Sequence, residues 1–215
     1  MSISSTDIAK LREQTGAGIL DCKKALEENN GNIEAAVDWL RQKGILKAAK
    51  RAGKVAAEGL VVSYIHAGGK IGVLVEVNCE TDFVAKTVSF QTLVNDIAIH
   101  IAATAPKYLG KEEVSTADMD REREVYIGQL KNEGKPEAMI EKIVEGKMSK
   151  YYSEVCLLEQ PFIKDESKTI SQILTEKTAE IGEKVVLRRF ARFALGEGIE
   201  KESTDFAAEV AAQLA

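Results

Sequence analysis

An α+β fold is what this sequence predicts, and three observations carry it. Three short helical patterns crowd residues 4–44. Two Val- and Ile-rich runs, "GLVVSYIHA" and "KIGVLVEVN", flank Gly68-Gly69. A heavily charged pair of helical patterns follows over residues 115–150. Period-3.6 and period-2 patterns segregated along a chain point to helices set beside a small antiparallel sheet.

The first unit reads as a three-helix bundle. Ser4 with Asp7 three residues on resembles a capping box, Ile8 and Leu11 mark an apolar stripe, and Gly16 and Gly18 permit a tight turn. Ile19, Cys22 and Leu26 give a second stripe, ended by Asn30-Gly31. Asn32 is placed to cap a third helix, in which Ile33, Ala36, Val37 and Leu40 fall at i, i+3, i+4 and i+7 before Gly44. Next comes "RQKGILKAAKRAGKVAA", residues 41–57, with six Lys and Arg side chains and no acid. It reads as a solvated linker or helix face, or as a contact with an acidic partner. It lacks the interleaved aromatics of a single-strand nucleic-acid surface.

The Gly68-Gly69 turn predicts a β-hairpin. After it, Phe90, Leu93, Ile97 and Ile101 mark a long helix with Pro106 beyond its end. Ser115 is a cap candidate for the next helix. Pro136, which suits a first helical position, opens its successor. With a Gly-Pro break between them, the two predict an antiparallel hairpin that joins Met119, Val125, Tyr126 and Leu130 to Met139, Ile140, Ile143 and Val144. Ile170, Ile173 and Leu174 predict another inward-facing helix, and "KVVLRRFARFAL" a strand. "STDFAAEVAAQLA" reads as a short helix at the end.

Composition narrows the function classes. The chain has 215 residues, 45% hydrophobic and 29% charged, which suffices for a real core. No apolar run approaches the ~18 residues of a membrane span, and "MSISSTDIAK" lacks the form of a signal peptide. A cytoplasmic protein is therefore expected, with no membrane partner. Cys22, Cys79 and Cys156 are scattered and odd in number, and His66 and His100 do not form a metal pair. No disulfide framework, metal site or cofactor is expected. A net charge of −5 argues against direct nucleic-acid binding as the main activity. The acids form no recognisable nucleophile–base set, and no GxxxxGK[ST] loop is present, so an enzyme is not expected.

One stretch stands out. "NCETDFVAK", Asn78 to Lys86, leaves a predicted strand and starts a helix with Asp82 beside Phe83. Thr-Asp-Phe recurs at Thr204, Asp205 and Phe206. Thr suits an N-cap and an acid suits the first turn. Two readings stand together: Phe83 packs on the helix that follows, or it points outward and fills a partner's pocket as an interface anchor.

"LREQTGAGILDCKKAL" and "EVNCETDFVAK" resemble the two signature segments of the elongation factor Ts family. "KPEAMIEKIVEGKMSKYYSEVCLLEQPFIKDESKT" and "GEGIEKESTDFAAEVA" are similar to its later parts, so nearly the whole chain is covered. The resemblance implies a nucleotide exchange factor that binds elongation factor Tu–GDP, displaces Mg²⁺ and stabilises the nucleotide-free GTPase. It implies an N-terminal ubiquitin-associated (UBA)-like unit with basic linker over 1–54, an α+β core over 55–195 bearing a protruding coiled-coil hairpin, and a C-terminal module over 196–215. By the same resemblance Thr81, Asp82, Phe83 and Val84 wedge near the partner's magnesium site. Leu11, Arg12, Thr15, Gly16, Ala17, Gly18, Lys23 and Lys24 form the N-terminal docking segment, and Asp205 and Phe206 belong to the module that returns to the partner. His100 matches a family histidine near the partner's phosphate loop, although a lone His on an apolar helix also suits a satisfied core residue. Longer members carry two related core subdomains and this chain carries one, which implies a homodimer and a two-to-two complex. The rival expectation is a ribosome- or RNA-associated adaptor using the basic 41–54 segment.

Overall fold

The structure, a computed structural model, describes residues 3–199. The expected α+β class holds: helices pack beside a small antiparallel sheet. The final Thr-Asp-Phe repeat, with Asp205 and Phe206, lies outside the described residues.

Helices α1 (Ser5–Thr15), α2 (Ile19–Glu28) and α3 (Ile33–Gln42) form the N-terminal unit. Ser4 Oγ accepts from the Asp7 amide and Asn32 Oδ1 from the Ala35 amide, so both expected caps form. Leu11, Ala17, Cys22, Ala25, Leu26, Ala36 and Leu40 make a core of their own. Ile19 departs from expectation. It shares the helical spacing of Cys22 and Leu26, yet it is exposed together with Leu20.

The middle of the basic segment takes the helix-face form. It folds into α4 (Ile45–Arg51), which packs on α9 (Ile170–Ile181). Gly44 permits this approach. Its φ is +71°, and a Cβ there would lie 2.5 Å from that of Ala179.

Strands β1 (Glu58–Ile65), β2 (Ile71–Cys79) and β5 (Val186–Ala194) form a sheet in the order β1-β2-β5, antiparallel throughout, with a bulge between Glu76 and Val77. Val73, Val75 and Val77 point to one face, where they meet Phe90, Val94, Ile97 and Ile101 of α6 (Val88–Thr104) in the main core. The period-2 alternation puts Val61, Ile65, Leu74 and Phe193 on the other face, where all four are exposed.

Helices α7 (Thr116–Asn132) and α8 (Glu137–Val155) run antiparallel around Leu130, Ile140, Val144 and Met148. The expected hairpin is present with a shifted face: Val125 and Met139 are exposed, and Ile127 packs instead. A short ribbon, β3 (Pro161–Phe162) with β4 (Asp165–Thr169), was not expected from the sequence. Among the described residues no helix is long and apolar enough to cross a membrane, and no cluster of His, Cys, Asp and Glu could hold a metal ion.

Candidate functional site: a capped corner after strand β2

The chain leaves β2 at Cys79 and turns through Glu80 and Thr81 into α5 (Asp82–Ala85), a helix of one turn. It breaks at Lys86 and restarts as α6, so the motif caps a separate helix rather than the long one. Two threonines make that break. Thr81 Oγ1 accepts from the Val84 amide (3.4 Å). Thr87 Oγ1 donates to the Val84 carbonyl (2.8 Å) and accepts from the Phe90 amide (3.3 Å).

Within α5 the side chains divide sharply. Ala85 is buried and Val84 packs partly against the main core. Phe83 faces outward with 78% of its surface exposed, and Val88, at the start of α6, is equally open. The outward reading of Phe83 is thus the one its placement supports. Asp82 Oδ2 accepts from Lys86 Nζ at 2.6 Å, a pair that lies on the surface. That bond holds the Asp82 carboxyl below, and the Lys86 ammonium above, their ordinary pKa values. Lys86 Nζ also lies 5.9 Å from the Phe83 ring centre. The corner therefore presents an aromatic ring edged by a carboxylate and an ammonium.

Thr81 is held from behind. Its amide donates to Glu183 Oε2 (3.0 Å) and its hydroxyl to Glu183 Oε1 (2.7 Å). Glu183 follows Gly182, the left-handed C-cap of α9 at φ +82°.

The N-terminal candidates gather elsewhere, around the turn between α1 and α2. Leu11 and Ala17 are core residues, and Thr15 is half-buried with its hydroxyl donating to the Leu11 carbonyl (2.7 Å). Arg12, Gly16, Gly18, Lys23 and Lys24 are exposed. Ile19 and Leu20 complete this apolar-and-basic surface and were missed as surface residues, because helical spacing assigns Ile19 to the core stripe.

His100 joins neither surface. It is fully buried on α6, near Phe162, with Nε2 3.0 Å from Gln160 Oε1 and Nδ1 accepting from the Ile163 amide (3.3 Å). In the single chain it is a satisfied core histidine, so its placement favours the core reading over a partner contact.

Comparison with known proteins agrees with this architecture. The family model described as Elongation factor TS matches residues 32–197, a span that includes the capped corner and the α7–α8 hairpin. The chain is 58% identical over 212 residues to Elongation factor Ts of Geobacter sulfurreducens, covering 99% of this chain and 98% of that one. It is 56% identical over 212 residues to Elongation factor Ts of Carboxydothermus hydrogenoformans, again over 99% and 98%. With Elongation factor Ts of Desulfitobacterium hafniense the identity is 54% over 208 residues, 97% of this chain and 96% of the relative. These relatives therefore share the short form almost end to end. By the family match and by identities above half along nearly its full length, the chain belongs to the elongation factor Ts family.

Proposed function

We propose that the chain binds elongation factor Tu–GDP and speeds the exchange of GDP for GTP by displacing Mg²⁺ and stabilising the nucleotide-free GTPase. The observation that carries this reading is the exposed Phe83 on a helix turn capped at both ends, within a family of translation elongation factors. A ring aimed outward from a rigid corner suits insertion into an apolar gap, with Asp82 offering a polar contact at its edge. Mg²⁺ bridges nucleotide phosphates and protein oxygens, so moving its supporting loop uncovers their mutual repulsion and weakens GDP. The effect is reciprocal coupling. A factor that prefers the empty GTPase lowers nucleotide affinity by the same ratio, and each ~1.4 kcal/mol of coupling is about tenfold. The direction of exchange then follows the nucleotide ratio of the cytoplasm, where the factor works.

The remaining parts take supporting roles. The α1–α3 unit serves as a UBA-like dock for the partner's nucleotide-binding domain through Arg12, Ile19, Leu20 and Lys23. The α7–α8 pair is the family's coiled-coil protrusion, and Asp205 and Phe206 return to the partner. Two chains pair through the open face of the sheet to give a two-to-two complex. Exposed Arg41, Lys47 and Lys50 around α4 favour one second reading, an RNA-associated adaptor. RNA binding without the GTPase and with a steep salt dependence would mark it.

The deciding experiment follows release of a fluorescent GDP analogue from elongation factor Tu, with the natural chain and with Phe83→Ala. The natural chain should accelerate release. Phe83→Ala should slow it by about tenfold to thirtyfold, the loss of a central interface anchor. The variant's own stability should move by no more than about 0.5 kcal/mol, because the ring is mostly exposed and meets the core little. Equal acceleration by both would keep the function and remove Phe83 from it. No acceleration by the natural chain would refute the exchange reading.

A further inference from the structure

A helix of one turn has little more than the Ala85-to-Thr81 (3.4 Å) and Lys86-to-Asp82 (3.2 Å) backbone bonds to hold itself, and an exposed ring has little packing to aim it. The direction of Phe83 must be fixed from the protein side. Ala85 anchors the inner edge of α5. Val84 and the Thr87 cap add to it, and a further restraint is a clasp between two segments about a hundred residues apart. Glu183 takes both donors of Thr81, and the next residue returns the exchange: the Lys184 amide donates to Glu80 Oε1 at 2.7 Å. Side chains of 80 and 183 thus engage backbones of 184 and 81.

The clasp is itself anchored. The Val185 amide donates to the buried Thr178 hydroxyl (3.1 Å), which pins the loop that carries Glu183. Glu80 Oε2 meets Arg51 Nη1 at 3.2 Å, and Lys184 Nζ donates to the carbonyls of Ala52 (2.7 Å) and Lys54 (3.1 Å). The end of the N-terminal unit is therefore tied to the same point. Charge-assisted bonds to a bidentate carboxylate are stronger and more directional than neutral ones, and this pair falls on the N-cap residue that sets the axis of α5.

We propose that Glu183 is a positioning residue for nucleotide exchange, holding Thr81 so that the Asp82–Phe83 corner is presented in one fixed orientation. The proposal rests on the exchange reading, and its test separates the two. Two readouts are taken on the full chain: hydrogen exchange of the amides over residues 79–85, and GDP release from elongation factor Tu as a function of factor concentration. Glu183→Ala should speed amide exchange at the corner by roughly tenfold, while β2 and α6 stay protected. It should lower the release rate at saturating factor by roughly tenfold and leave the half-saturating concentration within about threefold. Glu183→Gln keeps an acceptor for the Thr81 amide and can donate to its hydroxyl, so it should restore both readouts to within about threefold. Should the alanine variant fail to fold, Glu183→Asp, one methylene shorter, takes its place under the same criteria.

An unchanged saturating rate would overturn the proposal, whether or not the corner loosens. So would a rise in half-saturating concentration alone. Should the natural chain fail to accelerate release, the exchange reading falls by itself. Hydrogen exchange then decides the corner: loosening in Glu183→Ala retains Glu183 as its holder, and no loosening overturns that too.

Discussion

His100 carries a pH dependence that its contacts make explicit. The Ile163 amide donates to Nδ1, so Nδ1 is the acceptor and the proton sits on Nε2, facing Gln160 Oε1. Gln160 is committed as well: the same Oε1 accepts from Thr104 Oγ1 (2.9 Å), and Nε2 donates to the Glu154 carbonyl (2.8 Å). A second proton, on Nδ1, would set donor against donor inside the core. Burial pushes the His100 pKa below its ordinary 6.5, and the bond to Gln160 opposes this only in part. The unfolded chain then binds the proton first as pH falls, so stability should decline below about pH 6.5 and level off once the folded value is passed. Chemical unfolding at pH 7.5 and pH 5.5 should show that loss in the natural chain and a smaller one in His100→Gln. Equal losses would place the effect elsewhere. The same residue shows what sequence can carry at this scale. Its helix and its apolar neighbours Ile97 and Ile101 were legible, but burial was not, because a resemblance to a family position and a satisfied core histidine predict the same string. Phe83 and Phe90 make the same point in reverse. Only the break at Lys86 and Thr87 decides that one ring faces solvent and the other the core.

Among the elements, the α7–α8 hairpin is the part whose stability separates from the rest. Its buried residues form a cluster distinct from the main core, and its two helices pack chiefly on each other. Leu130 is 1% exposed near the closed end. Leu130→Ala should remove about 2–5 kcal/mol, a transfer loss plus a cavity. That loss should appear as faster amide exchange over 116–155 while α6 and β2 keep their protection. A uniform loss of protection would mean that hairpin and core unfold as one. The hairpin's existence was legible from Ser115, Pro136 and the two stripes. Its facing was less so. Met119, Tyr126 and Leu130 follow one helical face, and Val125, one residue before Tyr126, is rotated off it by about 100°. Two other elements left weaker traces. The apolar residues of α4 are Ile45, Leu46, Ala48 and Ala49, set among lysines and an arginine, which reads as a charge run. β3 has two residues and β4 is "DESKT", so neither offers an alternation to find.

The whole molecule leaves one large surface unaccounted for. Strand order β1-β2-β5 puts the hairpin's second strand in the centre and covers only one face with α6. The other face carries Val61, Ile65, Leu74 and Phe193, all exposed, bordered by the Glu76–Arg189 pair at 2.6 Å. Both strands were legible in the sequence, whereas β5 pairing with β2, and so the composition of this face, depends on contacts a hundred residues apart that no local pattern encodes. A second copy of the chain is a suitable cover. The face carries exposed apolar side chains with a charged pair beside them, which suits a self-complementary interface. A stable pairing needs about 800 Å² from each partner, so the neighbouring loops would have to join the sheet in it. Phe193→Glu puts a carboxylate into that patch and disturbs nothing in the core, because the ring is exposed in the single chain. Sedimentation should give the mass of two chains for the natural protein and of one for the variant, with unchanged circular dichroism. A natural chain that sediments as a monomer would refute the homodimer and leave this face to the GTPase. A variant that stays paired would move the interface off the sheet. The release assay then assigns a role to the pairing: a folded monomeric Phe193→Glu that still accelerates GDP release would show that one chain presents every contact the exchange needs, and a silent one that the two chains share them.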